Sequence, residues 1–149
     1  MPQSFSSLHV HVVFSTKDRT PLIRPELASR LHPYLGGISN ELACPAVAIG
    51  GMPDHVHMLV DLSRERTVAD VVRTIKTNSS KWMRQELGER RFVWQTGYGA
   101  FAVNRSNLED VKGCIADQAE HHRIRTFQEE FRMLLEKHGL EFDERYLWA

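Results

Sequence analysis

The sequence has few of the residues that mark unusual protein classes. Of its 149 residues only two are cysteine, Cys44 and Cys114, and fifteen are glycine or proline. Two cysteines without a Cys-x-x-Cys pair do not predict a disulfide framework, so we expect both thiols to be reduced. The low glycine and proline content, with 42% hydrophobic and 26% charged residues, excludes collagen-like, fibrous and disordered chains.

An excess of charge and long apolar runs are also missing. Lysine plus arginine and aspartate plus glutamate both number 19, so the formal net charge is zero and any anion site has to be local. No apolar run approaches the ~18 residues that a membrane span needs, and residues 1–7 lack the features of a signal peptide. We therefore expect a cytoplasmic protein with no membrane partner, folded as a single domain over residues 1–149.

Apolar periodicity predicts strands and helices in alternation. Residues 8–14 alternate as a half-buried strand does, and residues 46–49 and 55–62 predict two further strands joined by a turn at 50–54. Helical spacing predicts a first helix from Pro25 to about Leu42 and a second helix that begins after Thr67 and runs to about Leu87. Residues 91–103 predict a strand interrupted at Gly97-Tyr98-Gly99.

Two more helices complete the predicted order. One begins after Ser106, with Glu109 completing a capping box, and the other runs from about Phe127 to His138 before Gly139. The order β-α-β-β-α-β-α-α contains a split β-α-β arrangement. It predicts an α+β fold with an antiparallel sheet and helices packed mainly on one face.

The segment Pro53-Asp-His-Val-His-Met-Leu-Val60 carries the sharpest chemical signal. Alternate residues of a strand point to the same side, so His55 and His57 present two imidazoles about 7 Å apart at Cα, close enough to bind one metal ion. Two such histidines are also found as plain polar residues, and His9 and His11 repeat the spacing. The pair alone leaves both interpretations open.

A second group lies on the third predicted helix. Cys114 and Gln118 are four residues apart and share a face, where the Gln118 amide oxygen is a suitable cation ligand. Alternatively, Cys114 is a small core residue and Gln118 a solvated one.

Basic residues are numerous in the second half of the chain despite the zero net charge. Such residues either form a solvated face or contact phosphates, and the neighbouring metal motif favours phosphate contact. The candidate DNA-binding residues are Arg73, Lys76, Lys81, Arg84, His121, His122 and Arg123.

Ordered blocks along nearly the whole chain resemble the one-tyrosine HUH insertion-sequence transposases, including the REP-associated tyrosine transposase branch. Residues 54–59, Asp-His-Val-His-Met-Leu, are similar to the HUH motif, and similar blocks lie at 11–17, 79–82, 94–103, 118–122 and 142–148. An HUH tripeptide alone is weakly specific, whereas several ordered blocks at fitting separations are strongly specific.

The resemblance implies a ferredoxin-like domain that acts as a homodimer on single-stranded or hairpin DNA. Family members cleave and rejoin a strand through a phosphotyrosine intermediate. They use a divalent cation, Mg²⁺ or Mn²⁺, bound by the two HUH histidines and by a glutamine four residues after the nucleophile. By position, the implied metal ligands are His55, His57 and Gln118, and the nucleophile position is Cys114.

Cysteine at that position departs from the family pattern. A thiol is shorter and softer than a phenol and forms a weaker bond to phosphorus, and none of the three tyrosines, Tyr34, Tyr98 and Tyr146, precedes Gln118 by four residues. Three hypotheses stay open within the family. They are an impaired transposase that keeps its metal and DNA sites, a repurposed DNA binder or nuclease without a tyrosine, and a tyrosine supplied from elsewhere in space.

Two rival hypotheses come from other classes. One is a metal-binding or dimerisation module without catalytic activity. The other is a metal hydrolase that uses two histidine pairs together, which requires the first and third strands to be adjacent. Its four residues are His9, His11, His55 and His57. The lack of a nearby general base makes the hydrolase the weakest hypothesis.

Overall fold

A single antiparallel sheet organises the chain in the computed structural model, which describes residues 3–118, 126–145 and 147. The strand order is β2-β3-β1-β4, where the strands are β1 (His9–Ser15), β2 (Ala46–Met52), β3 (His55–Asp61) and β4 (Gly99–Val103). The helices of the described ranges are α1 (Pro25–Glu41), α2 (Val68–Gln85), α3 (Leu108–Ala116) and α4 (Phe127–Lys137). The predicted α+β fold with an antiparallel sheet is confirmed.

Each face of the sheet has its own core. Val12 and Phe14 of β1 pack with α1 and α2, whereas Val13 between them packs with Phe101 and with Phe127 and Phe131 of α4. Side chains of a strand alternate between faces, which explains this division. The two longest helices share one face, as expected, and α3 and α4 add a layer on the opposite face, so that β3 is buried on both sides.

Strand register places the two histidines of β3 in the middle of the sheet. Ser15 pairs with His55 and Val13 pairs with His57 across β1, while Gly50 of β2 pairs with His57 from the other side. Paired residues of antiparallel strands point to the same face. Because Val13 belongs to the core that contains α4, both histidines face the layer of α3 and α4.

Two sequence predictions at element ends are wrong. Residues 91–98 are not a strand apart from one bridge between Thr16 and Trp94, because side chains satisfy their peptide groups: Lys76 Nζ donates to the carbonyl oxygens of Gln95 and Gly97 at 2.9 and 2.5 Å. Ser106 does not cap α3. It lies inside a 3₁₀ turn (Arg105–Asn107), which the Asn107 N–H closes on the Asn104 carbonyl, and the helix begins after Asn107.

Smaller differences concern lengths. β2 runs on to Met52, so the turn to β3 is shorter than expected, and α2 ends at Gln85. The other caps agree with the sequence: Thr67 accepts a hydrogen bond from Asp70 N–H, and Gly139 follows α4 with φ of 66°. None of the helices in the described ranges is long and apolar enough to span a membrane.

Candidate metal centre

His55 is held in one orientation by its neighbours. Its ring is fully buried and stacks on Phe127 with centroids 4.1 Å apart. Nδ1 lies 2.7 Å from Asp54 Oδ1, and because a carboxylate only accepts, Nδ1 carries the proton. In the neutral ring Nε2 is therefore a lone-pair donor, the form in which histidine binds metal ions.

The amide of Gln118 meets that nitrogen. Gln118 follows α3, is buried, and donates from Nε2 to the carbonyl oxygen of Cys114 at 2.9 Å. This contact turns the amide oxygen towards the sheet, where Oε1 lies 3.3 Å from His55 Nε2. A carbonyl oxygen and an unprotonated imidazole nitrogen are both electron-pair donors, so a shared cation satisfies both.

His57 has a polar partner on each ring nitrogen. Nδ1 lies 2.8 Å from Nε2 of His11, and Nε2 lies 2.8 Å from Oε1 of Glu130 on α4. Burial lowers the pKa of His11 to about 3, with the neighbouring His57 adding to the effect. The His11 ring is therefore neutral at pH 7, and its hydrogen bond to Nδ1 orients the His57 ring.

These contacts bring His55, His57 and Glu130 into one group, with ligand atoms within 4.8 Å of one another. Two imidazoles, a carboxylate and the Gln118 amide oxygen form a donor set that fits a divalent cation. The predicted residues His55, His57 and Gln118 thus lie together, although Gln118 comes from another element.

Glu130 is the residue that sequence reasoning missed. A signal for it exists, because Phe127, Glu130, Phe131 and Leu134 follow the spacing of one helical face, and a glutamate on an otherwise apolar face calls for a buried partner. His11 was expected only as part of a four-histidine site. The strands β1 and β3 are adjacent, as that hypothesis requires, and His11 contacts His57.

Comparison with known proteins decides the family. The family described as "Transposase IS200 like" matches residues 4–118, well over half of the chain. The chain belongs to the IS200-like transposase family. The resemblance drawn from the sequence blocks is therefore confirmed, and the match includes His55, His57, Cys114 and Gln118 but ends before Glu130.

Individual relatives are distant. The ISDra2 transposase TnpA of Deinococcus radiodurans is 24% identical over 117 residues, which cover 74% of this chain and 84% of the relative. A crystal structure of a D. radiodurans R1 protein assigned as a transposase superposes with a TM-score of 0.65 at 23% identity, covering 79% of this chain and 98% of that one. A REP-associated tyrosine transposase bound to a REP hairpin gives a TM-score of 0.61 at 14% identity, covering 82% and 73%. Both solved structures share the fold.

Position 114 bears on the activity that an IS200-like transposase can have. Cys114 is exposed on α3 and is not part of the group formed by His55, His57 and Glu130. Burial of the thiol raises its pKa, and the carboxylates of Glu130 and Asp110 raise it further. A raised pKa keeps the sulfur protonated, and the thiol is a much weaker nucleophile than the thiolate.

Neither of the two described tyrosines replaces a nucleophile on α3. Tyr34 stacks on Trp82 with centroids 4.1 Å apart, between α1 and α2. The Tyr98 ring lies 5.7 Å from Lys76 Nζ of α2. Both contacts involve the helix layer on the far side of the sheet from His55. Tyr146 lies outside the described residues.

The basic residues of α2 do not adjoin the metal centre. Because α2 packs on the face that carries Val12 and Phe14, its side chains are separated from the histidines by the sheet. Arg73 pairs with Asp70, Arg84 donates to the Phe92 carbonyl at 3.0 Å, and Lys81 is exposed. The remaining candidates, His121, His122 and Arg123, lie outside the described residues.

Lys76 anchors a loop, and this role predicts a pH effect on stability. Burial lowers its pKa from 10.5 to about 8. Between these values the unfolded chain binds more protons than the folded chain, so the Lys76 contribution to the free energy of unfolding rises with pH. Urea denaturation from pH 8 to 10 should give a steeper rise for the unaltered protein than for Lys76→Met. Lys81→Met, on the same helix but exposed, serves as the control, and parallel profiles for all three proteins would contradict the prediction.

Proposed function

We propose that this chain is a single-stranded DNA transposase that binds single-stranded or hairpin DNA as a homodimer, with impaired strand cleavage because Cys114 occupies the nucleophile position. The observation that carries the proposal is the convergence of His55, His57 and Gln118, which come from a strand and from the end of a distant helix. All three side chains are buried, and each has a polar partner that fixes its orientation. The cytoplasmic location stays a prediction of the sequence.

The residues of the proposed site act by holding a cation and by orienting its ligands. His55, His57 and Gln118 would hold the divalent cation, Mg²⁺ or Mn²⁺, which when bound stabilises negative charge on the non-bridging phosphate oxygens. Asp54 and His11 orient the two imidazoles, and the Cys114 carbonyl orients the amide of Gln118. Cys114 lies four residues before Gln118, the position of the nucleophile that the family resemblance implies.

DNA binding is proposed to use the basic residues, with α2 contacting DNA away from the cleavage site. Support comes from the exposure of Arg73, Lys81 and Arg84 and from the solved relative that is bound to a REP hairpin. Contacts to phosphates position the strand and carry no sequence information. A hairpin recognised by shape therefore suits this arrangement.

The salt dependence of DNA binding tests the DNA part of the proposal. We expect affinity for a hairpin with a single-stranded flank to fall steeply with salt, with a slope of about −0.7 in log K against log salt for each phosphate contacted on a single strand. The Lys81→Gln, Arg84→Gln double variant should show a shallower slope in fluorescence anisotropy titrations. Arg145→Gln removes a surface charge that pairs with Asp143 and serves as the control. Salt-independent binding, or equal affinity for blunt duplex DNA, contradicts the proposal.

The alternative is a repurposed, non-catalytic module for DNA binding or dimerisation. The place of Cys114 favours it, because the thiol is exposed and lies outside the group formed by His55, His57 and Glu130. Both candidate functions predict DNA binding. They differ in whether a tyrosine restored at position 114 reacts with DNA, which a denaturant-resistant adduct of Cys114→Tyr would reveal.

A further inference from the structure

Glu130 lies among aromatic rings where a carboxylate needs a strong partner. It is on the face of α4 that carries Phe127 and Phe131, and its side chain is only 15% exposed. An ionised carboxylate in such a place is costly unless it is paired or binds a metal ion. Its Oε1 lies 2.8 Å from Nε2 of His57, on the ring edge that also belongs to the metal centre.

We propose that Glu130 is an anionic metal ligand, which with His55 and His57 forms a two-histidine, one-carboxylate site with the Gln118 amide oxygen as fourth donor. The consequence is that the chain retains a divalent cation of the Mn²⁺ type before DNA arrives. The place of this cation in DNA cleavage rests on the proposed function, but the binding of the ion does not.

Distances between the donor atoms fit a shared ion. Ligands bonded at about 2.1 Å to a six-coordinate ion are about 3.0 Å apart when adjacent and about 4.2 Å apart when opposite. His57 Nε2 and Glu130 Oε1 are 2.8 Å apart, and His55 Nε2 and Gln118 Oε1 are 3.3 Å apart. The three groups His55, His57 and Glu130 lie within 4.8 Å. Side-chain movements of a few tenths of an ångström therefore bring the donors to coordination distances.

The Glu130 carboxylate gives this site a negative charge that a site without Glu130 would lack. Two neutral imidazoles and an amide carry no charge, so they hold a divalent cation weakly until a phosphate adds negative charge. A carboxylate supplies that charge from the protein itself. Imidazole ligands also favour first-row transition metals over Mg²⁺, which prefers oxygen donors and retains its waters.

A different role for Glu130 gives an opposite result. If the carboxylate only accepts a hydrogen bond from His57 Nε2–H, it competes with the metal for His57. Removing it then leaves metal affinity unchanged or raises it. If Glu130 is a ligand, removing it weakens metal binding. The sign of the change therefore distinguishes the two roles.

The test measures Mn²⁺ binding by the full chain without DNA, using calorimetry and the Mn²⁺ electron paramagnetic resonance signal. We expect Glu130→Gln to weaken Mn²⁺ binding at least about 10-fold, because it removes the one negatively charged donor among the four. The neighbouring exposed Glu129→Gln is the matched control and should bind as the unaltered chain does. Unchanged or tighter binding by folded Glu130→Gln overturns the proposal.

A second measurement needs no variant. Anomalous scattering from crystals of the unaltered chain soaked in Mn²⁺ should place the ion within bonding distance of Glu130, His55 and His57, and an ion without Glu130 overturns the proposal. The proposed metal site and the proposed function can be contradicted independently of each other. If Mn²⁺ binding depends on Glu130 but hairpin DNA is not bound, the metal site stands and the transposase function falls. If, in the Cys114→Tyr background, Glu130→Gln cleaves DNA equally well and leaves Mn²⁺ affinity unchanged, the reverse holds.

Discussion

A Cys114→Tyr variant is expected to form a covalent adduct with single-stranded DNA that survives denaturant and requires Mn²⁺ or Mg²⁺, whereas the unaltered chain forms little or none. The metal ligands, the DNA surface and the helix that carries position 114 are all retained in the variant. Only the attacking oxygen is restored. A correctly placed reacting group reacts on the order of 100-fold faster than a misplaced one. We therefore expect the tyrosine hydroxyl to increase adduct formation at least about 100-fold.

The matched control is Cys114→Phe, which has the same ring without the hydroxyl group. Labelled hairpin oligonucleotide with a single-stranded flank is incubated with each protein and separated on a denaturing gel. The Tyr variant should give a DNA-linked band, the Phe variant should not, and adding His57→Ala to the Tyr variant should abolish the band. This last result ties the adduct to the metal centre rather than to nonspecific crosslinking.

Other outcomes have definite meanings. If Cys114→Tyr is folded, binds Mn²⁺ and binds DNA but stays inert, the nucleophile is not the only defect and the non-catalytic alternative becomes the better function. If the unaltered chain already nicks DNA, the attacking group is the Cys114 thiol or a water molecule. Loss of nicking in Cys114→Ala identifies the thiol, and persistence identifies water.

The sheet and half of the site follow from local sequence pattern. Strands β1 and β3 are short apolar stretches whose alternation is set by side-chain geometry alone, so their position and the shared face of His55 and His57 are predictable. The four-residue spacing of Cys114 and Gln118 predicts one helix for both, but α3 ends at Ala116 and Gln118 lies beyond it. Gln118 reaches His55 because α3 packs on β2. That contact joins distant parts of the chain, so no local sequence pattern predicts it.

The parts that were missed depend on contacts between distant elements. Glu130 contacts His57 because α4 packs on the sheet with the face that also carries Phe127 and Phe131. Residues 91–98 have strand-like composition, but Lys76 binds the carbonyl oxygens of residues 95–97 and Arg84 binds that of Phe92, so these groups do not pair with a strand. In both cases tertiary contacts override local propensity. The basic residues of α2 likewise lie away from the histidines because α2 packs on the opposite face of the sheet, which is also a tertiary contact.

A Gly50→Ala substitution is expected to damage both the fold and the metal centre. A Cβ at position 50 would lie 2.2 Å from the carbonyl oxygen of Ile115 on α3. That atom is backbone, so no side-chain rotation relieves the clash and α3 has to move away from β2. Overpacking of this kind costs about 1–3 kcal/mol in the free energy of unfolding. The same movement separates Gln118 from His55, so Mn²⁺ affinity falls as well.

Gly37→Ala gives the control with the opposite sign. A Cβ at Gly37 in α1 meets nothing within 4 Å, and alanine in a helix interior is more stable than glycine by roughly 0.5–1 kcal/mol. Urea denaturation should therefore show Gly50→Ala less stable and Gly37→Ala more stable than the unaltered chain, and only Gly50→Ala should lose Mn²⁺ affinity. If Gly50→Ala loses stability but keeps its metal affinity, either α3 moves without carrying Gln118 or the amide is not a ligand. If neither property changes, the close contact between β2 and α3 does not position the site.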